Sequence, residues 1–371
     1  MRIRGLRRYR PGPGRPRPPS RALIAVPVVL IGLIALVDLV TSSDIQLAPL
    51  LVAAPAISAS VGGPALAAGI GALAVAVQTA LTSMHGGLGA TGQQAQLAGL
   101  VVVSVFVVVF CYARDRRERE LTRARSVAET AQRALLRPLP PRVGPLLIAS
   151  VYVAAEAEAQ IGGDLYAAVR VGNGTRVMIG DVRGKGLTGV GNAALLMGAF
   201  RAAAHRGLPL PGLVAHLDRA VHWNTTVPED GVREDGESFI TAALVDIPDD
   251  GPLISLVTCG HPPPLLLRDG AATALDVAAP ALPLGLGLPY HESFPAETFR
   301  FEPGGSLLLY TDGVIEARDR HGAFYPLAER AAAWYEADPP TLVRRVHDDL
   351  LAHAGGHLDD DVAMIAIRRL E

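Results

Sequence analysis

Two aspartates flank a predicted hairpin between residues 161 and 186 of this 371-residue chain. Two segments with strand character, Asp164–Val171 and Thr175–Asp181, are separated by Gly172-Asn173-Gly174, which tolerates the positive φ angles of a tight turn. Asp164 and Asp181 lie almost equally far from this turn, so we expect them to be opposite or diagonal neighbours across the strands. Like charges placed in this way repel each other. The pattern indicates either an exposed, well-solvated edge or a cation between the carboxylates, and we favour the cation.

Two further segments bring aspartates to the ends of apolar strands. Ser306–Gly313 (SLLLYTDG) delivers Asp312 beside a glycine, and the run Asp359, Asp360 and Asp361 directly precedes the apolar stretch that begins at Val362. An Asp beside Gly is by itself most often a turn residue. Four strand ends that each carry an aspartate predict a site for a hard cation, because oxygen ligands suit Mg²⁺ or Mn²⁺ whereas zinc prefers His and Cys.

Composition limits the classes of function. The formal net charge is −2, so there is no bulk attraction to nucleic acid, and we expect no nucleic-acid partner. Cys111 and Cys259 are the only cysteines, too few for a disulfide framework, which suits a reducing cytoplasmic setting for the soluble part. His261 has no nearby Cys or His partner in the sequence, and we interpret it as a residue that anchors a turn rather than a ligand.

The apolar composition of the N-terminal third of the chain predicts a membrane region. Residues 1–21 are rich in Arg, Pro and Gly and are expected to be disordered. Residues 22–112 contain four apolar segments, and the Arg-rich flanks on both sides place both ends in the cytoplasm and require an even number of spans. We expect about four transmembrane helices; a re-entrant second segment or three spans remains the alternative. The segments are Ala22–Val40, Ile45–Val61, Pro64–Leu81 and Gln96–Tyr112.

Residues 113–141 form a charged linker that is predicted to be helical. Leu121, Ala124, Ala128, Ala131 and Leu135 follow a heptad-like spacing of three and four among Arg and Glu residues. This seam is short and mostly alanine, so it would pair two protomers only weakly. A homodimer through a signalling helix and a solvated spacer helix are both compatible with it.

Residues 142–371 are predicted to form one soluble domain with a layered α+β fold, because runs of strands alternate with paired helices rather than in strict βαβ order. The predicted strands are Leu146–Val153, the hairpin, Phe239–Ile247, Leu253–Thr258, Pro264–Arg268, a short strand after the turn Asp269-Gly270, Thr298–Phe301, Ser306–Thr311 and Val362–Arg368. The predicted helices are Leu187–His205, Leu213–Asn224, Leu327–Glu336 and Thr341–His353, and Ala278–Pro295 is expected to be a loop or flap.

From about Arg142 onward the chain resembles the metal-dependent protein phosphatases of the protein phosphatase 2C (PPM) superfamily. The resemblance is to the bacterial branch typified by stage II sporulation protein E and the regulators of sigma-factor partner switching. Seven segments carry it in the family's order: AEAQIGGDLY (157–166), IGDVRGKG (179–186), FITAAL (239–244), CGHPPPLLL (259–267), PLGL (283–286), LLLYTDGVIEA (307–317) and DDVAMIAI (360–367).

The resemblance implies an αββα sandwich with two Mn²⁺ or Mg²⁺ ions at one edge of its central sheets. Asp181 would bridge both ions, the Val182 carbonyl would be a further ligand, and Asp164, Asp312 and Asp360 would supply the other carboxylates. These residues form the predicted catalytic site, in which a metal-activated water hydrolyses phosphoserine or phosphothreonine. The implied substrate is an anti-sigma-factor antagonist, and the implied location is the cell membrane with the catalytic domain in the cytoplasm.

Two basic residues follow the bridging aspartate. Arg183 and Lys185 would either hold phosphate oxygens or be solvated loop charges. Neither is assigned a proton-transfer role, and arginine in particular is a poor general acid because its pKa lies above about 12.

The chain also departs from the family pattern. Many members have Asp at the position of Ala167 and Thr at the position of Ala363. The first difference bears on metal affinity and the second on local hydrogen bonding. A catalytically weak or inactive membrane scaffold that binds a regulatory partner is therefore the alternative function. The sequence Gly184–Gly189 also fits G-x-G-x-x-G, but without repeated βαβ units it is weak evidence for dinucleotide binding.

Overall fold

The structure of the protein, a computed structural model, describes residues 21–40, 48–84, 91–136, 138–154, 163–183, 187–226, 239–286 and 294–370. The chain divides into two compact units, residues 1–123 and residues 124–371. In its described residues the first unit is helical, whereas the second contains two β-sheets with helices.

The first unit begins with helix α1 (Arg21–Val40), a 3₁₀ turn (Ala48–Val52), α2 (Ala53–Val61) and α3 (Pro64–Met84), and α4 (Thr91–Leu135) continues from it into the second unit. Helix α3 and residues Gly92–Arg123 of α4 are long and apolar enough to cross a membrane. The apolar helical stretches Ala25–Val40 and Pro49–Ser60 are shorter. Two candidate spans are therefore evident by length and composition, and the count of four remains a prediction.

Helix α4 runs without a break through the change from apolar to charged sequence at residue 113. The predicted fourth span and the predicted linker helix are thus one helix. Ion pairs four residues apart, such as Arg116–Glu120 and Asp115–Arg119 at 2.9 Å, favour helix in the charged part. Of the predicted heptad seam, Leu121 is exposed and Leu135 half-buried, and its three alanines lie outside the residues whose side chains the structure describes.

The second unit is built on two antiparallel sheets. A six-stranded sheet has the order β1-β2-β11-β10-β7-β8, and a five-stranded sheet has the order β3-β4-β5-β6-β9. The strands are β1 (Arg142–Val143), β2 (Leu146–Val153), β3 (Asp164–Val171), β4 (Gly174–Arg183), β5 (Phe239–Pro248), β6 (Leu253–Cys259), β7 (Leu265–Arg268), β8 (Ala271–Ala274), β9 (Glu297–Arg300), β10 (Ser306–Tyr310) and β11 (Val362–Arg369). All pairings between these strands are antiparallel, which disfavours the dinucleotide-binding interpretation because that fold needs a parallel sheet.

Helices cover the outer faces of both sheets. The helices are α5 (Leu187–Ala204), α6 (Leu210–Thr226), α7 (Asp312–Glu316), α8 (Leu327–Ala332) and α9 (Pro339–His353). Helices α5 and α6 contact strands of the five-stranded sheet, and α8 and α9 contact strands of the six-stranded sheet. On β10, Leu307 and Leu309 join a core shared with the other sheet, whereas Leu308 belongs to a second core that includes buried residues of α9. This alternation gives the layer order helix, sheet, sheet, helix.

The predicted elements of this domain are largely confirmed. Strand Leu146–Val153 and the hairpin are found where they were expected, and the other strands and longer helices agree to within a few residues, except that the helix predicted for Leu327–Glu336 ends at Ala332. Two short elements were not predicted, β1 and helix α7. Asp312 is therefore the first residue of a helix rather than the last residue of a strand. Part of the predicted loop Ala278–Pro295 lies outside the described residues.

Candidate metal centre and active site

Asp164 and Asp181 are directly opposite each other across strands β3 and β4. Val171 pairs with Gly174, so the hairpin turns on two residues, and the first of them, Gly172, has a φ of +53°. This turn fixes the register that the sequence predicted. Directly opposed residues have Cβ atoms roughly 5 Å apart, so the two carboxylates are held as close neighbours.

Burial and mutual repulsion act on both carboxylates. Asp164 is 2% exposed, and its pKa is raised well above the usual value, first by burial and then by the charges of Asp181 and Asp361. The pKa of Asp181 is raised to about 7 by burial and then by the charges of Asp312, Asp360 and Asp361. The structure therefore brings the four predicted carboxylates together, at a place where their shared negative charge is unfavourable without a cation.

Asp312 and Asp360 come from the six-stranded sheet. Asp312 follows β10 at the start of α7, and Asp360 lies just before β11, the strand paired with β10. Burial and then the charge of Asp360 raise the pKa of Asp312. The two segments are closely packed, since a Cβ atom on Gly313 would collide with the Asp361 carbonyl oxygen. The glycine after Asp312 is thus required by close packing.

A buried threonine ties the two sheets together at this edge. The Thr311 hydroxyl donates a hydrogen bond to Asp164 Oδ2 at 2.8 Å and accepts one from the Ala363 N–H at 2.9 Å. A hydroxyl has one proton, so this arrangement directs it to the carboxylate. Thr311, which is fully buried, therefore fixes the orientation of Asp164 from the opposite sheet. Sequence reasoning missed this role, although a threonine next to Asp312 at the end of an apolar strand was the available signal.

Replacing Thr311 with valine is expected to weaken Mn²⁺ binding by roughly tenfold or more, the size of effect seen when a residue that orients a metal ligand is removed. Thr311→Ser keeps the hydroxyl and should stay close to wild type. Binding can be followed in the full-length protein by the electron paramagnetic resonance signal of unbound Mn²⁺. Equal affinity in the valine and wild-type proteins would show that Thr311 does not position Asp164.

The three consecutive aspartates before β11 have different surroundings. Asp361 is 3% exposed, and its Oδ2 accepts a hydrogen bond from the Tyr152 hydroxyl at 2.9 Å. Its backbone N–H donates to Asp360 Oδ1 at 2.8 Å. Asp359 and Asp360 are exposed. Asp361, which was not a predicted ligand, thus supports Asp360 through its backbone and adds a buried carboxyl group to the cluster.

The residues present fit hard divalent cations. The side chains of the cluster offer carboxylate oxygens, which Mg²⁺ and Mn²⁺ prefer. A Cβ atom on Gly163 would collide with both Asp181 Oδ1 and the Val182 carbonyl oxygen, so the glycine keeps space open beside these two candidate ligands. Among the described residues, no three His, Cys, Asp or Glu side chains converge on one point as a complete single-ion site. Backbone oxygen and water would have to complete the coordination, as hard cations commonly allow.

Other residues singled out in the sequence lie around this cluster. Arg183 is exposed at the end of β4, and Lys185 lies outside the described residues. His261 Nδ1 is 3.0 Å from the hydroxyl of Thr241, the cross-strand neighbour of Asp181. Burial lowers the pKa of His261 to about 4, so the ring is neutral near pH 7.

The two departures from the family pattern leave the cluster intact. Ala167 is three residues from Asp164 on a regular strand, so the two side chains face opposite sides of the sheet, and Ala167 belongs to the apolar core. The backbone N–H of Ala363 donates a hydrogen bond to the Thr311 hydroxyl. This bond does not depend on the side chain at position 363.

The fold is that of the protein phosphatase 2C class. The SiaA-PP2C domain of Pseudomonas aeruginosa superposes with a TM-score of 0.54 at 17% identity, covering 69% of this chain and 99% of that domain, and shows the fold. A crystal structure of the RsbU and RsbW domains of a Mycobacterium tuberculosis protein has a TM-score of 0.50 at 27% identity, covering 63% of this chain and 61% of that one.

Residues 172–370, more than half of the chain, match the family described as stage II sporulation protein E (SpoIIE), and the chain belongs to that family. The match includes Asp181, Asp312 and Asp360 and begins after Asp164. Phosphoserine phosphatase RsbU of Bacillus subtilis (strain 168) is 25% identical over 255 residues, 68% of this chain and 72% of RsbU. Phosphoserine phosphatase RsbP of the same organism is 28% identical over 162 residues, 43% of this chain and 38% of RsbP. The chain thus spans most of RsbU but little more than a third of RsbP.

Proposed function

We propose that this chain is a membrane-anchored, metal-dependent protein serine/threonine phosphatase. The observation that carries the proposal is the partly buried carboxylate cluster at the joined edge of two sheets, in a chain of the SpoIIE family. Burial, and then repulsion between the carboxylates, raises the pKa of Asp164, Asp181 and Asp312, and nothing in apolar packing requires such a cluster. Clusters of this kind are typical of functional sites.

Asp164, Asp181, Asp312 and Asp360, with the Val182 carbonyl, are the residues that would hold two Mn²⁺ or Mg²⁺ ions. Bound ions of this type supply a nucleophile at neutral pH by lowering the pKa of water, and they neutralise phosphate charge. The protein's own part is to hold the carboxylates in place. The strand register fixes Asp164 against Asp181, and Thr311 fixes the rotation of the Asp164 carboxylate. No side-chain nucleophile, and hence no covalent phosphoenzyme, is needed.

The substrate we propose is phosphoserine or phosphothreonine on a protein, specifically an anti-sigma-factor antagonist. RsbU and RsbP are named as phosphoserine phosphatases, and the similar mycobacterial structure contains an RsbU domain together with an RsbW domain. These relatives support the substrate class for this chain.

The membrane location rests on the first unit. It contains two helices of sufficient length and apolar character, and large apolar side chains are exposed along α1 and α4, among them Leu36, Val102 and Phe106. We further propose that the chain spans the membrane four times and that both Arg-rich flanks lie in the cytoplasm. We also propose a weak homodimer through α4.

Hydrolysis of p-nitrophenyl phosphate and of a phosphoserine peptide by the full-length protein is the experiment that tests this function. Both reactions should require Mn²⁺ or Mg²⁺ and should stop when the ions are chelated. The activity should sediment with membranes and be released by detergent but not by high salt, because apolar helices hold the protein in the bilayer.

The same experiment separates the enzyme from a scaffold. If well-folded protein supplied with Mn²⁺ hydrolyses neither compound nor a phosphorylated anti-sigma-factor antagonist, the catalytic proposal fails and a partner-binding scaffold remains. Activity that is released by salt alone would argue against anchoring by the apolar helices.

A further inference from the structure

The acidic cluster creates an electrostatic problem for a phosphorylated substrate. Five aspartates lie within it, namely Asp164, Asp181, Asp312, Asp360 and Asp361. When all five are ionised, their negative charge exceeds the positive charge of two divalent cations by one. A phosphate monoester adds up to about two further negative charges near pH 7. A positive side chain at the mouth of the cluster would offset this repulsion.

Arg183 lies on the same face of its sheet as the cluster. It is the last residue of β4, two positions beyond Asp181, and side chains two apart on a strand point to one face. The hydrogen bond between Asp164, the partner of Asp181, and Thr311 shows that this face is turned toward the other sheet. The Cα atoms of Asp181 and Arg183 are roughly 7 Å apart along the strand, which a long arginine side chain easily spans.

Phe239 orients the guanidinium group. It is the cross-strand partner of Arg183, and the central guanidinium carbon lies 5.0 Å from the centre of its ring. This cation–π contact restrains a side chain that is otherwise exposed. A guanidinium stacked on a ring keeps its N–H donors in its own plane, where they can meet an anion.

We propose that Arg183, restrained by Phe239, binds the phosphate group of the substrate; this rests on the proposed phosphatase function and extends it. The planar fork of an arginine matches two oxygens of a phosphate, which the point charge of a lysine does not. Arg183 is a binding residue and transfers no proton. Its ligand class is a phosphate monoester, and the free phosphate product shares the same chemistry.

Binding of inorganic phosphate to the Mn²⁺-loaded full-length protein, measured by calorimetry, tests the inference. Arg183→Met should weaken phosphate binding by about tenfold or more and raise KM for p-nitrophenyl phosphate by a similar factor, since it removes hydrogen bonds to a charged group. For Arg183→Lys, the phosphate affinity and the KM should lie between those of Arg183→Met and wild type. Phe239→Leu keeps apolar volume but loses the aromatic face, and about a two- to fivefold weakening is expected.

Arg345→Met is the matched control, because Arg345 is an exposed arginine on α9 and its removal should change neither quantity. Unaltered Mn²⁺ binding in each variant shows that the fold is retained. If Arg183→Met binds phosphate as wild type does while both proteins hydrolyse substrate, this inference is overturned and the phosphatase function stands. An effect on a phosphopeptide alone, with phosphate and p-nitrophenyl phosphate unaffected, would also overturn it. If wild-type protein neither binds phosphate nor hydrolyses substrate, the proposed function itself has failed.

Discussion

Asp181→Asn should abolish hydrolysis and at the same time make the metal-free protein more stable. Asparagine keeps the size of the side chain but removes a charge that would help to hold the cations, so activity should fall by at least about 10²-fold, as when one contact to transition-state charge is lost. The pKa of Asp181, raised to about 7, shows that its charge is unfavourable in the folded state without metal. Removing that charge should stabilise metal-free protein by up to about 4 kcal/mol at neutral pH and above.

Tryptophan fluorescence during urea unfolding measures the stability of the relevant unit within the full-length protein. Both tryptophans, Trp223 and Trp334, belong to the second unit. Asp250→Asn is the matched control, since Asp250 is exposed in the turn after β5 and its replacement should change neither activity nor stability. If Asp181→Asn were as active as wild type, or destabilised the metal-free protein, Asp181 would not be a ligand held under electrostatic strain.

The second large effect is the pH dependence of stability after metal removal. Asp164 and Asp181 have folded-state pKa values above those of the unfolded chain. At a pH between the unfolded and the folded pKa, the folded protein therefore binds more protons than the unfolded chain does. The stability they contribute is fully present below about pH 4 and is lost as pH rises through about 7. In the presence of chelator, the free energy of unfolding of the second unit should therefore decrease by a few kcal/mol between pH 5 and pH 8.

Saturating Mn²⁺ should remove or reverse this slope, because bound cations favour the ionised carboxylates and stabilise the folded state by mass action. The same urea titrations, read by tryptophan fluorescence, compare the two conditions. Asp181→Asn without metal should have a shallower slope than wild type. A metal-free stability that is constant or increases over this range would contradict the raised pKa values and the cluster that causes them.

The hairpin illustrates what could be predicted from the sequence. The Gly/Asn turn fixes the register of two strands, and the register places Asp164 opposite Asp181, so local chemistry determines this half of the site. Asp312 and Asp360 were also predictable, because buried strands pair with each other and deliver their terminal residues to one edge.

The rest of the site depends on contacts between distant segments. The bond from Thr311 to Asp164 joins residues 147 positions apart, and the bond from Tyr152 to Asp361 joins residues 209 apart. No periodicity or motif in either segment specifies its partner. Arg183 is an intermediate case, since its position after Asp181 raised the possibility of phosphate contact, but its orientation depends on Phe239 of the neighbouring strand.

The N-terminal unit was harder to predict for a different reason. The change of composition at residue 113 suggested a boundary between a span and a linker, yet good helix formers and ion pairs continue α4 to Leu135. In the second apolar segment, Pro49 and Pro55 accompany a 3₁₀ turn and a short helix in place of one long span. Apolar composition therefore located the region but did not define its helices.

The central claim is that these carboxylates bind two divalent cations and that hydrolysis depends on them. A Mn²⁺ titration of the full-length protein, with bound ions counted by electron paramagnetic resonance and phosphate release from a phosphoserine peptide measured in parallel, tests it most directly. We expect two ions per chain, activity that rises as they bind, and loss of both in Asp181→Asn. Phosphate release that persists after every divalent ion is removed, or an intact fold that binds no Mn²⁺, would contradict the account.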